Sequence, residues 1–206
     1  MTLSLSVSVA ETGSPDNIAH ENNSNENTAN LVKQCSICHG MDGNSSINTI
    51  PTIAGINPDY FKFAIEAYKN GNRQSVAMKT FADKLSKNDI NALAKYYALQ
   101  SYQPANQAFD VKAVTKGKTI HDKYCVKCHD NDGYPEPYSY GILAGQWKAY
   151  LQQVIKEYLD GTRKTNPMML LKLHRVKNEI GDDGFEQLIN YYASVKTPPS
   201  TTQSSQ

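Results

Sequence analysis

Two short runs hold all four cysteines of the chain: Cys35-Ser36-Ile37-Cys38-His39 and Cys125-Val126-Lys127-Cys128-His129. Two thiols three positions apart on a helical turn can each add to a vinyl group of one porphyrin. The histidine that follows then lies beneath the iron as its proximal ligand. The spacing therefore predicts two covalently attached haems of the c type, one at each run. Zinc ribbons separate their cysteine pairs by about 15–20 residues, whereas Cys38 and Cys125 lie much further apart. A thioredoxin-like redox site uses a single C-x-x-C in a βαβ setting, which is missing here. Structural disulfides give no reason for a histidine after each pair. Haem attachment accounts for every thiol and both histidines.

A sixth iron ligand follows by elimination in the first half. Methionine opposite histidine is a common electron-transfer pair and raises the reduction potential. The methionines after the first motif are Met41 and Met78. Met41 is two residues from His39, too close to cross to the other haem face, so Met78 remains. It follows a helix and a Gly-x-Arg turn, where a loop would return over the haem. The second half offers the adjacent pair Met168 and Met169, which face different directions, so only one can bind. His174 is a third candidate that would break the symmetry with the first half. A metal-bound histidine usually donates its other ring N–H to a carbonyl or carboxylate. The Pro51 carbonyl is the expected acceptor in the first half. Its counterpart is Gly141, so the two pockets are expected to differ in potential. His20 and His121 are expected at the surface, and Trp147 in core or haem packing.

The elements that must position these groups repeat along the chain. An offset of 90 residues relates the two motifs, Ile53-Ala54-Gly55 to Leu143-Ala144-Gly145, Tyr60 to Tyr150, Tyr68 to Tyr158, Gly71 to Gly161 and Arg73 to Arg163. Tyr96-Tyr97-Ala98 recurs as Tyr191-Tyr192-Ala193 at an offset of 95, so the second half carries extra residues, expected near Asn178 to Gly184. Pro58 opens a helix over 59–70 that Gly71 ends. Ser86 and Asp89 form a capping box for a helix through Gln100, with Ile90, Leu93, Ala94 and Tyr97 on one face. Phe185, Leu188, Ile189 and Tyr192 repeat that face. Period-two alternation is nearly absent, so little sheet is expected. About 80 residues per half is small for a stable core, and a buried haem would supply apolar volume.

The 206 residues suit one large or two small domains, and a formal charge of +1 argues against a broad nucleic-acid surface. No apolar run reaches membrane-spanning length. The opening MTLSLSVSVA reads as the end of a secretory signal, which predicts export to the periplasm. The stretch 11–29, rich in Asn, Glu and Ser, is expected to be a flexible leader, and 197–206 a flexible tail.

Three runs of the second half, HDKYCVKCH (121–129), ILAGQW (142–147) and GDDGFEQLINYYAS (181–194), together with YQPANQAFD (102–110), closely resemble the cytochrome subunit of flavocytochrome c sulfide dehydrogenase. Over residues 30 to 196 the chain resembles two-haem periplasmic cytochromes in general. The resemblance implies an all-α fold of two tandem class I cytochrome c domains, at 30–101 and 114–196, each a small helical fold around one haem, joined by a linker at 102–113. It implies that Cys35, Cys38, Cys125 and Cys128 hold two haem c groups, with His39 and His129 as proximal ligands and Met78 as the first distal ligand. Counting on from the Gly of AGQW, it implies Met169 as the second, although the segment NPMMLLKL is less basic than the family's. The implied partner is a flavoprotein subunit, carrying the FAD and oxidising sulfide, in a heterodimer with this chain. This chain, without catalysis of its own, would accept the electrons and relay them to a soluble acceptor such as a small cytochrome. The other reading is a free di-haem shuttle serving a terminal oxidase.

Overall fold

The computed structural model describes residues 15–136 and 140–198, and the expected signal remnant at 1–10 and most of the tail lie outside them. Among the described residues there are eight α-helices and no strand. The first half contains α1 (Pro15–His39), α2 (Pro58–Lys69), α3 (Val76–Ala82) and α4 (Lys87–Ala98). The second contains α5 (Val111–Ile120), which runs into a π-helical turn at His121–Cys125, then α6 (Lys148–Leu159), α7 (Pro167–Glu179) and α8 (Asp182–Ser194).

Local chemistry explains most helix starts. The Asn57 side chain accepts from the backbone of Asp59 and Tyr60, with Pro58 in the first turn of α2. The Ser86–Asp89 capping box is fully formed at the start of α4. Its counterpart α8 starts without a side-chain cap, from Gly181 at φ 87°, and Asp182 and Asp183 instead complement the positive end of the helix dipole. α1 begins at Pro15, so helix reaches upstream into the stretch expected to be flexible. A polar segment can propagate from a helix already anchored by packing, because elongation costs far less than nucleation. The anchoring is visible where the Asn27 side chain donates to Asp89 at 2.7 Å.

Each half has its own core. Val32, Phe61, Ile65, Tyr68, Leu93 and Tyr97 anchor the first. Ile120, Leu151, Leu173, Phe185, Ile189 and Tyr192 anchor the second. In the second half α5 lies very close to α8, because a Cβ on Gly117 would meet the Gln187 carbonyl oxygen at 2.1 Å. The extra residues of the second half fall mainly within α7, which has 13 residues where its counterpart α3 has 7. The end of α7 overlaps the Asn178–Gly184 stretch suggested by sequence.

The halves are joined by an extensive interface. Gln146, only 2% exposed, spans it to the backbone of Thr52. Trp147 donates from its indole N–H to the Ser45 carbonyl at 2.9 Å, so its role is between the halves and not in one core. The Tyr150 amide donates to the Asn48 carbonyl at 3.1 Å and the Lys164 amide to the Asn72 carbonyl at 2.7 Å. The connector is itself packed: Tyr102 donates to the Ala144 carbonyl at 2.5 Å and the Ala105 amide to the Gly145 carbonyl at 2.8 Å.

Candidate haem sites

The two C-x-x-C-H runs end equivalent helical segments, one at the C-terminus of α1 and the other just after the π-helical turn. All four thiols are free of disulfides, with Cys35, Cys38 and Cys125 half-buried and Cys128 exposed. Cys35 packs against the first core and Cys125 against the second, so the two pairs belong to separate halves and do not form one four-cysteine centre. Burial raises the pKa of Cys35, and pushes that of Cys125 up to about 11. Burial therefore favours the thiol form at both positions.

The histidine next to each pair is buried. Burial lowers the pKa of His39, while its bond to Pro51 opposes the shift; burial pushes His129 down to about 4. Both rings are therefore neutral near pH 7, the form that can donate a lone pair to iron. His39 Nδ1 donates to the Pro51 carbonyl at 2.9 Å, which leaves Nε2 available. His129 Nδ1 has no hydrogen-bond partner among the described residues. This difference follows the expected contrast between Pro51 and Gly141.

A repeated turn carries the segment opposite each histidine. The Gly43 carbonyl accepts from the amides of Ile53 and Ala54, and the Gly133 carbonyl accepts from those of Leu143 and Ala144. Both glycines have positive φ, 81° and 73°, and a Cβ on Gly43 would come within 2.8 Å of the Tyr97 ring. The next glycine in each half is tied to the last helix: Gly55 N–H donates to the Tyr97 carbonyl, and Gly145 N–H to the Tyr192 carbonyl.

Met78 is the third residue of α3, capped by Ser75, and packs against the first core. Met169 is the third residue of α7, capped by Asn166, and packs against the second core together with Cys125 and Tyr158. The two methionines thus hold the same place relative to their helix caps, one residue beyond the 90-residue register that points to Met168. Met168 itself is 58% exposed, as is Met41 at 72%, and His174 is also exposed. His121 is not at the surface: it is fully buried, with Nδ1 paired to the Tyr192 hydroxyl at 3.0 Å. Its place on the turn before Cys125 directs it inward against α8, which helical periodicity alone did not resolve. The side chain of His20 lies outside the described part of the structure.

Between the halves the repeat crosses over. Arg73 of the first half donates to the Tyr150 hydroxyl at 2.8 Å, and Arg163 of the second donates to the Tyr60 hydroxyl at 3.2 Å. Both guanidinium groups are buried, yet the closest carboxylate to either is Glu157, 3.9 Å from Arg163. Packing away from solvent raises the Tyr150 phenol, but the two guanidiniums outweigh it and hold its pKa below the ordinary value. Among the described residues Arg163 Nη1 has no hydrogen-bond partner. Buried cations with unsatisfied donors are costly, and this donor set suits the carboxylates of a large apolar group lodged in each half. The thiols, neutral histidines, capped methionines and buried guanidiniums together fit haem c. Sequence comparison singled out these arginines and tyrosines as repeats, but their crossed pairing required the tertiary structure.

Residues 24–96 match the family model described as cytochrome C oxidase, cbb3-type, subunit III. The thiosulfate dehydrogenase electron acceptor of Stutzerimonas stutzeri (strain A1501) is 26% identical over 171 residues, covering 78% of this chain and 78% of that protein. The cytochrome subunit of sulfide dehydrogenase from Chlorobaculum tepidum is 41% identical over 67 residues, or 32% of this chain and 60% of that protein. Reduced recombinant cytochrome c4 from Pseudomonas stutzeri superposes with a TM-score of 0.68 at 23% identity, over 82% of this chain and 97% of that one. That likeness shows the fold, an all-α arrangement of tandem class I cytochrome c units. No described helix is long and apolar enough to cross a membrane. In its family match over the first half, in its relatives and in its fold, the chain is thus similar to cytochromes of the c type.

Proposed function

We propose that the chain is a di-haem electron-transfer cytochrome of the periplasm that takes electrons from a sulfur-oxidising dehydrogenase and passes them to a soluble acceptor. The observation that carries this reading is the pairing of two equivalent sites through one interface, with Arg73 and Arg163 reaching across to Tyr150 and Tyr60. Residues 30–101 and 114–196 would form the two haem domains, joined by 102–113. Cys35 and Cys38 would hold one haem, Cys125 and Cys128 the other. His39 and His129 would ligate from one face, and Met78 and Met169 from the other. Haem c supplies a one-electron couple whose potential the axial ligands set. The chain's own residues orient the imidazoles, exclude water around them and bury charge between the halves.

For the donor, we favour a flavoprotein subunit that carries FAD, oxidises sulfide and forms a heterodimer with this chain. Support comes from the family runs HDKYCVKCH, ILAGQW and GDDGFEQLINYYAS, and from the sulfide dehydrogenase subunit, 41% identical over its matched part. A second reading is a free shuttle of the cytochrome c4 kind, serving a terminal oxidase, which the near-complete superposition on cytochrome c4 favours. Purification of the native protein separates them. A flavin-containing subunit should co-elute, and sulfide should then reduce the flavin and both haems. Elution of the cytochrome alone, unreduced by sulfide, would reject the heterodimer and leave the shuttle. Adding thiosulfate and its dehydrogenase to the lone cytochrome tests the donor class of the other relative.

A further inference from the structure

The residue behind the first proximal histidine is held in place by the other half of the molecule. His39 Nδ1 donates to the Pro51 carbonyl at 2.9 Å. The next residue, Thr52, is 3% exposed, and both of its backbone groups are taken up by the side chain of Gln146. The Thr52 amide donates to Gln146 Oε1 at 3.0 Å, and Gln146 Nε2 donates to the Thr52 carbonyl at 3.0 Å. Thr52 is tied on its own side as well, its hydroxyl accepting from the Ser45 amide at 3.2 Å. Gln146 is in turn anchored through its own carbonyl, which accepts from Gln107 of the connector at 2.7 Å.

Among the described residues no matching brace serves the second half. At the 90-residue offset, the counterpart of Gln146 is Ile56 and that of Thr52 is Ile142, both apolar and both buried in the first core. The support is therefore not an outcome of duplication. It runs one way, from the second half to the first.

We infer that Gln146 is a positioning residue for His39: it fixes the Thr52 backbone, hence the direction of the Pro51 carbonyl, and so tunes the first redox centre from the second half. The inference rests on the ligand assignment proposed above. Its physical basis is that a hydrogen bond from the free ring nitrogen fixes the imidazole and makes it a more basic ligand. A more basic ligand stabilises the oxidised iron and lowers the potential. A carbonyl with its backbone loosened would hold the ring less well.

The test uses the full holoprotein and the substitution Gln146→Met, which keeps the length of the side chain and removes both hydrogen bonds. In a spectroelectrochemical titration the first centre should become easier to reduce. Its reduced-to-oxidised ratio at fixed ambient potential should rise roughly tenfold, the low end of outer-shell effects, with the second centre unmoved. Gln146→Glu retains an acceptor for the Thr52 amide and should give a smaller shift than Gln146→Met. Equal shifts at both centres, or lower stability with no shift at either, would overturn the inference and leave Gln146 as a strut. A measurement on the unaltered protein guards against a variant that does not fold: the His39 ring N–H should exchange with solvent more slowly than that of His129, and equal rates would overturn the inference too. His39→Ala separates the two levels of the argument. If it leaves the first centre's axial ligation intact, the ligand assignment itself fails.

Discussion

At the scale of single residues, the sharpest discrimination lies between two adjacent methionines. Met169 occupies the third position of its helix, as Met78 does, and faces the second core, whereas Met168 faces solvent. Met169→Leu should abolish the sulfur-to-iron charge-transfer band of one centre and lower its potential, since methionine opposite histidine raises it. Met168→Leu should leave both centres unchanged. Absorbance spectra and redox titrations of the two variants check this, and the reverse result would move the ligand to Met168. A net apolar swap at the exposed position should also alter stability by less than about 0.5 kcal/mol.

At the scale of elements, caps and crossings carry the consequences. The Ser86 hydroxyl accepts from the Asp89 amide at 3.2 Å, and the Asp89 carboxylate accepts from the Ser86 amide at 2.9 Å. Ser86→Ala should cost about 0.5–2 kcal/mol in chemical denaturation, the usual range for an N-cap. The hydrogen bond from the Ser86 side chain holds the Asp89 carboxyl below its ordinary pKa. A depressed folded-state pKa gives stability that is complete above the unfolded value and is lost as pH falls through the folded one. Asp89→Asn should therefore lower stability by a constant amount on the neutral-to-alkaline side and flatten part of the acid limb, where the unaltered protein loses that contribution. An unchanged acid limb would show that the box is already broken by solvent competition. In the second half the sensitive point is Gly117. A methyl group there would overlap the Gln187 carbonyl and the Tyr191 side chain, and overpacking of this kind costs about 1–3 kcal/mol. Gly117→Ala should lower the melting temperature, and a neutral result would mean that α5 and α8 can separate freely.

At the scale of the whole molecule, the two halves are coupled because polar groups at their interface find partners across it. Arg73 and Arg163 each use a tyrosine of the opposite half, and removing one partner of a buried polar group leaves the other unsatisfied. Tyr150→Phe should cost about 1–3 kcal/mol, the penalty for an unsatisfied buried donor. A larger consequence concerns cooperativity. The unaltered holoprotein should unfold in one transition, and the double variant Tyr60→Phe, Tyr150→Phe should resolve into two, one for each half, by calorimetry. Two transitions in the unaltered protein would show that the interface does not couple the halves.

The chain's sequence by itself determined the chemistry, the duplication and the helical class. Those depend on covalent spacing and local periodicity: a C-x-x-C-H run needs only five consecutive residues, and an apolar face repeats every few residues along one helix. Pro58, Ser86 and the repeated glycines were readable for the same reason, since caps and turns are settled within a few positions. The tertiary structure alone decided the burial of His121, the placement of Trp147 between the halves, the crossing of Arg73 and Arg163, and the brace from Gln146 to Thr52. Each of these joins residues far apart in the chain, and which faces meet there depends on how complete helices pack. The resemblance implied Met169 from sequence, and the helix caps show why the ninety-residue repeat misses it: the second half has one more residue between Arg163 and its methionine, ahead of α7.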